Sequence, residues 1–282
     1  MGVLDNIAIG IHMLWSRLKV RAPFIRALKS LEKTQADVLM RILRDNNKTE
    51  FGKKYGLSEI SSVGEFRNQV PIHDYDDLEP YIKRQQEGHR SLTTEAPVYY
   101  ARTSGTTGSY KDIPLTESGI NQIKHFQEQL AYSLWSQTDF FRGTILGFSS
   151  PRFEGKLSNG IPYGSTSGAI YDSLSSLFKK KLAIPSEAFD LNDVESKYEV
   201  YALSALAHDS VTGVSSVNPS SLLKVCTLIE ENAEALISLL LGDDQSNKND
   251  KFDSIVSVLR SRMSSERVKL LSHCLNSGEI LL

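Results

Sequence analysis

The feature that most restricts what this chain can fold into is a glycine- and hydroxyl-rich segment set between two short β-favouring runs. Val98-Tyr99-Tyr100-Ala101 and Ile113-Pro114-Leu115 flank Arg102-Thr103-Ser104-Gly105-Thr106-Thr107-Gly108-Ser109-Tyr110-Lys111. Aromatic and β-branched residues that give way to Gly, Ser and Thr predict strand, loop, strand. After Thr116, the spacing of Ile120, Ile123, Phe126, Leu130 and Leu134 predicts a helix, and Thr144 to Phe148 predicts a buried strand. Strands that alternate with helices imply an α/β fold: a mixed or parallel sheet flanked by helices.

The rest of the chain fits that plan. Leu28, Leu31, Val38, Leu39, Ile42 and Leu43 recur at three and four, which predicts a helix over 27–46, and Ile7, Ile11, Leu14 and Leu18 read the same way. Ser62-Val63-Gly64-Glu65 reads as a capping box, and Asp74 as the N-cap of a short helix through Ile82. Residues 1–95 thus form a mostly helical lead-in, and 96–282 an α/β part. Within the latter, 149–168 reads as a Gly- and Ser-rich loop, followed by helices near 173–181 and 194–208 and a strand at 211–214. Asn218-Pro219 opens a long helix, and Gly242 to Asp250 is a solvated loop. The apolar ending at Ile280-Leu281-Leu282 suggests a stop inside a domain.

Composition bounds the chemistry. The chain has 282 residues, 40% of them apolar, with 32 basic and 34 acidic side chains and a net charge of −2. A sizeable core is possible. No global field draws the molecule to nucleic acid or an anionic membrane, so any anion site is local. Cys226 and Cys274 sit in helical patterns and read as buried thiols, and six scattered histidines offer no metal-ligand spacing. The N-terminus lacks a basic leader, Asn6 stands where a myristoylation signal wants Ser or Thr, and no apolar run approaches the ~18 residues of a membrane span. A cytoplasmic protein is expected.

Two glycines among small hydroxyl residues let successive backbone N–H groups converge on an anion, with Lys111 as a compact positive charge. This describes a phosphate cradle. Gly105 and Gly108 stand too close for the Walker pattern, and Asp112 follows Lys111 where Ser or Thr would be needed. On composition alone, a segment that merely turns the chain remains the alternative.

Thr103-Ser104-Gly105-Thr106-Thr107-Gly108 with Lys111 resembles the phosphate loop of the adenylate-forming superfamily, with Tyr110 where many members have proline. Thr49 to Gly56, Phe66-Arg67, Val70-Pro71-Ile72, Tyr75 to Leu78 and Pro80-Tyr81-Ile82 look like the N-terminal segment of the auxin-responsive acyl-acid amido synthetases. Gly160 to Gly168 and Asn218-Pro219-Ser220 are similar to that family's bacterial branch. The resemblance implies the incomplete N-terminal domain of an adenylate-forming enzyme. Such an enzyme activates a carboxylic acid with ATP as an acyl-adenylate, releases pyrophosphate, and transfers the acyl group to an amine or amino acid. It places Thr103, Ser104, Gly105, Thr106, Thr107, Gly108 and Lys111 at the nucleotide phosphates, with Mg2+ held by the nucleotide. The family's second ATP motif, its ribose motif and its mobile C-terminal domain with a lysine are not in these residues. The resemblance therefore implies a fragment that is inactive alone, or else a truncated remnant that binds nucleotide or a partner. No residue is assigned to the acyl-transfer chemistry itself.

Other motifs read more plainly. Gly164-Ser165-Thr166-Ser167-Gly168 mimics a nucleophile elbow, but its centre is Thr166. His208 reads as a charge that complements the dipole at a helix C-terminus, with Asp209 its solvated neighbour, and Lys179-Lys180-Lys181 as cations that do the same at another helix end. Trp135, Phe126, Phe140, Phe141, Phe148 and Tyr163 read as core.

Overall fold

The computed structural model describes residues 3–103, 110–151, 153–191, 193–243 and 248–277. It opens with helix α1 (Val3–Ser16), a π-helical turn (Arg17–Arg21), α2 (Ala22–Leu28), α3 (Leu31–Asn46), α4 (Glu50–Lys54), α5 (Val63–Gln69) and α6 (Tyr75–Gln86). Strands β1 (Pro97–Thr103) and β2 (Lys111–Thr116) precede α7 (Glu117–Gln137), β3 (Thr144–Gly147), β4 (Gly155–Lys156) and β5 (Pro162–Gly164). Then come α8 (Thr166–Ser173), α9 (Ser176–Lys179), a 3-10 turn (Ser186–Asp190), α10 (Val194–Ala207), β6 (Val211–Ser215), α11 (Pro219–Leu241), α12 (Asp250–Arg262) and α13 (Ser265–Ser277).

Local chemistry fixes several of these boundaries. Asp74 Oδ1 accepts from the Asp77 N–H at 3.1 Å and Asp77 Oδ2 accepts from the Asp74 N–H at 3.2 Å, a reciprocal box that starts α6. At α5 the box is shifted: Ser62 Oγ accepts from the Glu65 N–H, while Glu65 reaches back to the N–H of Ser61. Asn218 caps α11 with Pro219 in its first turn, and Gly242, at φ 91°, closes it in a conformation that suits glycine.

Two expectations are corrected. The single helix over 27–46 is broken at Lys29 and Ser30, where Ser30 leaves helical geometry and its carbonyl accepts from both Thr34 N–H and Thr34 Oγ1. The loop over 149–168 contains β4 and β5. Their Gly, Lys, Pro and Tyr carry no alternation, and they become strands through pairing with each other and with β1.

By its internal contacts the chain divides into two compact units. One comprises Met1–Ile11, Ser133–Pro151 and Tyr171–Leu282. Here β3 and β6 run parallel, with Ile145 opposite Gly213, beside a core built from α10 to α13. Val200, Leu203, Val225, Leu240, Phe252 and Leu259 are fully enclosed, each worth about 1.5–3 kcal/mol of transfer free energy. Lys181, expected at a helix end in water, is instead wholly buried in this unit. Its Nζ donates to Asn6 Oδ1 at 2.9 Å and to the carbonyls of Phe141 at 2.7 Å and Arg142 at 3.4 Å. Desolvation lowers its pKa, partly opposed by the charge of Asp5.

The other unit comprises His12–Tyr132 and Arg152–Ile170. Its mixed sheet has the order β2-β1-β5-β4, with β1 antiparallel to β2 and parallel to β5, and β5 antiparallel to β4. Tyr99, Tyr100 and Ala101 on central β1 are buried. A smaller cluster of Leu43, Leu57 and Ile60, joined by Phe66 and Val70, holds α3 to α5 together. Among the described residues, no helix is long and apolar enough to cross a membrane.

Candidate functional site

The antiparallel register of β1 and β2 brings the ends of the glycine- and hydroxyl-rich segment together. Thr103 is opposite Lys111, and Arg102 is opposite Asp112. Ser104, Gly105, Thr106, Thr107 and Gly108 lie outside the described residues. Lys111 is exposed, and its ammonium lies 5.0 Å from the centre of the Tyr75 ring. The hydroxyl of Tyr75 accepts from the N–H of Asp112 at 3.0 Å, so α6 is tied to the first turn of β2.

Behind this edge stands a charge pair absent from the sequence reading. Arg102 donates Nε to Asp112 Oδ1 at 2.8 Å and Nη2 to Oδ2 at 3.0 Å, a bidentate fork. The side chains are 20% and 15% exposed, so water screens the pair only in part. The carboxylate pushes the Arg102 pKa above its ordinary value, keeping the guanidinium charged. The guanidinium carbon lies 3.6 Å from the centre of the Tyr163 ring on β5 and 5.5 Å from that of Tyr110.

Tyr100 completes this face of the sheet. Among the described residues its buried hydroxyl has no hydrogen-bond partner, and its pKa is pushed up to about 12, by burial first and then by the charge of Asp112. Register could have found the pair, because a hairpin centred on this segment sets Arg102 against Asp112.

The remaining candidates take structural roles. Ser165 Oγ accepts from the Gly168 N–H at 3.0 Å and so caps α8, which begins at Thr166. His208 is mostly enclosed, its Nε2 lies 3.2 Å from the Ala183 carbonyl, and burial lowers its pKa. A helix-end cation is therefore not what it supplies. Its neighbour Asp209 accepts from Ser264 Oγ at 2.8 Å. Phe148 packs on Tyr201, whereas Phe126 is exposed and Trp135 and Phe141 line an open cavity of about 690 Å³. Among the described residues, no group of three or more His, Cys, Asp or Glu side chains is arranged to hold a metal ion.

Comparison with known proteins identifies the family and the fold. Residues 21–274 match the model of the GH3 family N-terminal domain. Jasmonoyl–L-amino acid synthetase JAR6 of Nicotiana attenuata is 28% identical over 231 residues, covering 78% of this chain and 39% of that protein. Indole-3-acetic acid-amido synthetase GH3.2 of Arabidopsis thaliana is 27% identical over 236 residues, covering 75% and 42%. The chain therefore spans about two-fifths of the length of these relatives. The solved structure of the GH3.15 acyl acid amido synthetase superposes with a TM-score of 0.73 at 23% identity, over 89% of this chain and 46% of that one, which fixes the fold. With its family-model match extending over most of its length, the chain belongs to the GH3 family.

Proposed function

We propose that this chain supplies the triphosphate-binding part of an enzyme that uses ATP to join a carboxylic acid to an amine or amino acid. The observation that carries the reading is the pairing of Thr103 with Lys111, which sets an exposed ammonium at the closed end of a Gly, Ser and Thr segment. The relatives named as jasmonoyl–amino acid and indole-3-acetic acid-amido synthetases support this acid and amine pairing.

The chemistry runs in two balanced steps. A carboxylate oxygen attacks the α-phosphorus of ATP, the bond to the β-phosphate oxygen breaks, and pyrophosphate leaves. The amine nitrogen then attacks the acyl carbon, AMP departs with the former carboxylate oxygen, and the nitrogen loses a proton. Carboxylate and triphosphate repel each other, so the first step needs donors fixed around the departing pyrophosphate. The hydroxyls of Ser104, Thr106 and Thr107, the backbone N–H groups of Gly105 and Gly108, and the ammonium of Lys111 are suited to that work. Mg2+ would come with the nucleotide and neutralise part of its charge; Asp112, the carboxylate beside Lys111, is already paired with Arg102.

Acid-dependent ATP–pyrophosphate exchange by the full-length protein tests the proposal. Exchange that requires both ATP and a carboxylic acid supports it. ATP binding with no exchange across a panel of acids would favour a nucleotide-binding remnant.

A further inference from the structure

A carboxylate next to a phosphate site opposes the binding of the nucleotide, and Asp112 directly follows Lys111. The structure holds an arginine against that carboxylate with three separate devices. The fork of Arg102 is used on both oxygens of Asp112. Its face rests on Tyr163, 3.6 Å from the ring centre. The Tyr163 ring in turn lies across β4 at Gly155, where an added Cβ would stand 2.6 Å from the tyrosine oxygen and 2.8 Å from a ring carbon. Glycine at 155 thus leaves the room that the ring occupies.

We propose that Arg102 is a positioning residue of the nucleotide site: it cancels the charge of Asp112, so that the charge Lys111 presents to the phosphates is not offset by its neighbour. The inference rests on the phosphate-binding reading of the Thr103–Lys111 segment. Arg102 acts through Asp112 and the β1–β2 register, not by touching the phosphates, because both its fork and its face are already engaged.

The pair is neutral, which gives the test a signature that packing alone would not produce. In the full-length protein, Arg102→Gln leaves a net negative charge and is expected to raise KM for ATP about tenfold, with a smaller change in kcat. Asp112→Asn leaves a net positive charge and is expected to lower KM about threefold. The double variant restores neutrality and is expected to return KM to near that of the parent protein.

A double variant as impaired as Arg102→Gln, or a KM raised by all three changes alike, overturns the proposal. If Arg102→Gln does not fold, Arg102→Lys takes its place: a KM near the parent supports charge cancellation, and a tenfold rise overturns it. Lys111→Ala is measured in parallel. An unchanged KM there sinks the phosphate-binding reading itself, whereas a raised KM with an unaffected Arg102→Gln variant sinks only the present inference.

Discussion

Thr103 and Lys111 are cross-strand partners at the last pair of the β1–β2 ladder. The residues between them must therefore begin and end at one place on the sheet edge. A cation at such a closed end is set by the backbone register rather than by its own flexible stem.

From this follows the first expectation, that Lys111→Ala and Thr106→Ala in the full-length protein each reduce acid-dependent pyrophosphate exchange about 10²-fold or more, the usual scale for removing a preorganised donor. Melting temperatures should stay close to the parent, because Lys111 is exposed. Unchanged exchange in both variants would overturn the assignment of the segment.

The buried hydroxyl of Tyr100 yields a second expectation. Among the described residues it has no partner, and an unsatisfied buried polar group costs about 1–3 kcal/mol. Tyr100→Phe keeps the ring packing and deletes only the oxygen, so denaturant unfolding should show a protein at least as stable as the parent. A clear loss of stability would mean that the hydroxyl makes a bond in solution.

A pH dependence follows from His208. Burial lowers its pKa, the cations of Arg262 and Arg267 lower it further, and the Ala183 carbonyl and Asp209 oppose them. The folded protein therefore takes up this proton less readily than the unfolded chain, whose histidine titrates near about 6.5. Stability from this group is complete above that value and is lost as pH falls toward the lowered folded pKa. His208→Gln should flatten the fall in melting temperature between pH 7 and pH 5. Parallel curves for parent and variant would contradict it.

What the sequence made legible was whatever depends on neighbours along the chain. The cap at Asp74, the helix opened by Asn218-Pro219, and the strands about the Gly, Ser and Thr segment are local events. Strands β4 and β5 were not legible, because Gly155, Lys156 and Tyr163 become strand only by pairing with distant partners. The Arg102–Asp112 pair is local to one hairpin, yet neither residue type announces a partner until the register of that hairpin is worked out. The break at Ser30 was missed for a different cause. The apolar period runs through it without interruption, and only the backbone acceptance from Thr34 reveals the turn.

Lys181 is where the sequence misleads most, and it supports the final prediction. Within Lys179-Lys180-Lys181 the three residues look alike, yet Lys180, itself mostly exposed, pairs with Asp5 at 3.1 Å while Lys181 is sealed inside. Its three donors satisfy Asn6 and the carbonyls of Phe141 and Arg142. Lys181→Met fits the apolar stem but strands those acceptors, and each buried unpaired group costs about 1–3 kcal/mol. Relief of the ammonium's desolvation offsets part of that loss, so a net destabilisation of about 2–4 kcal/mol is expected at neutral pH. Lys180→Ala removes only a surface pair and should cost less than about 1 kcal/mol. Urea unfolding of the two variants side by side separates the cases. Equal midpoints would mean that Lys181 stands in water like its neighbour, and a Lys181→Met variant more stable than the parent would mean that the buried ammonium costs more than its three hydrogen bonds return.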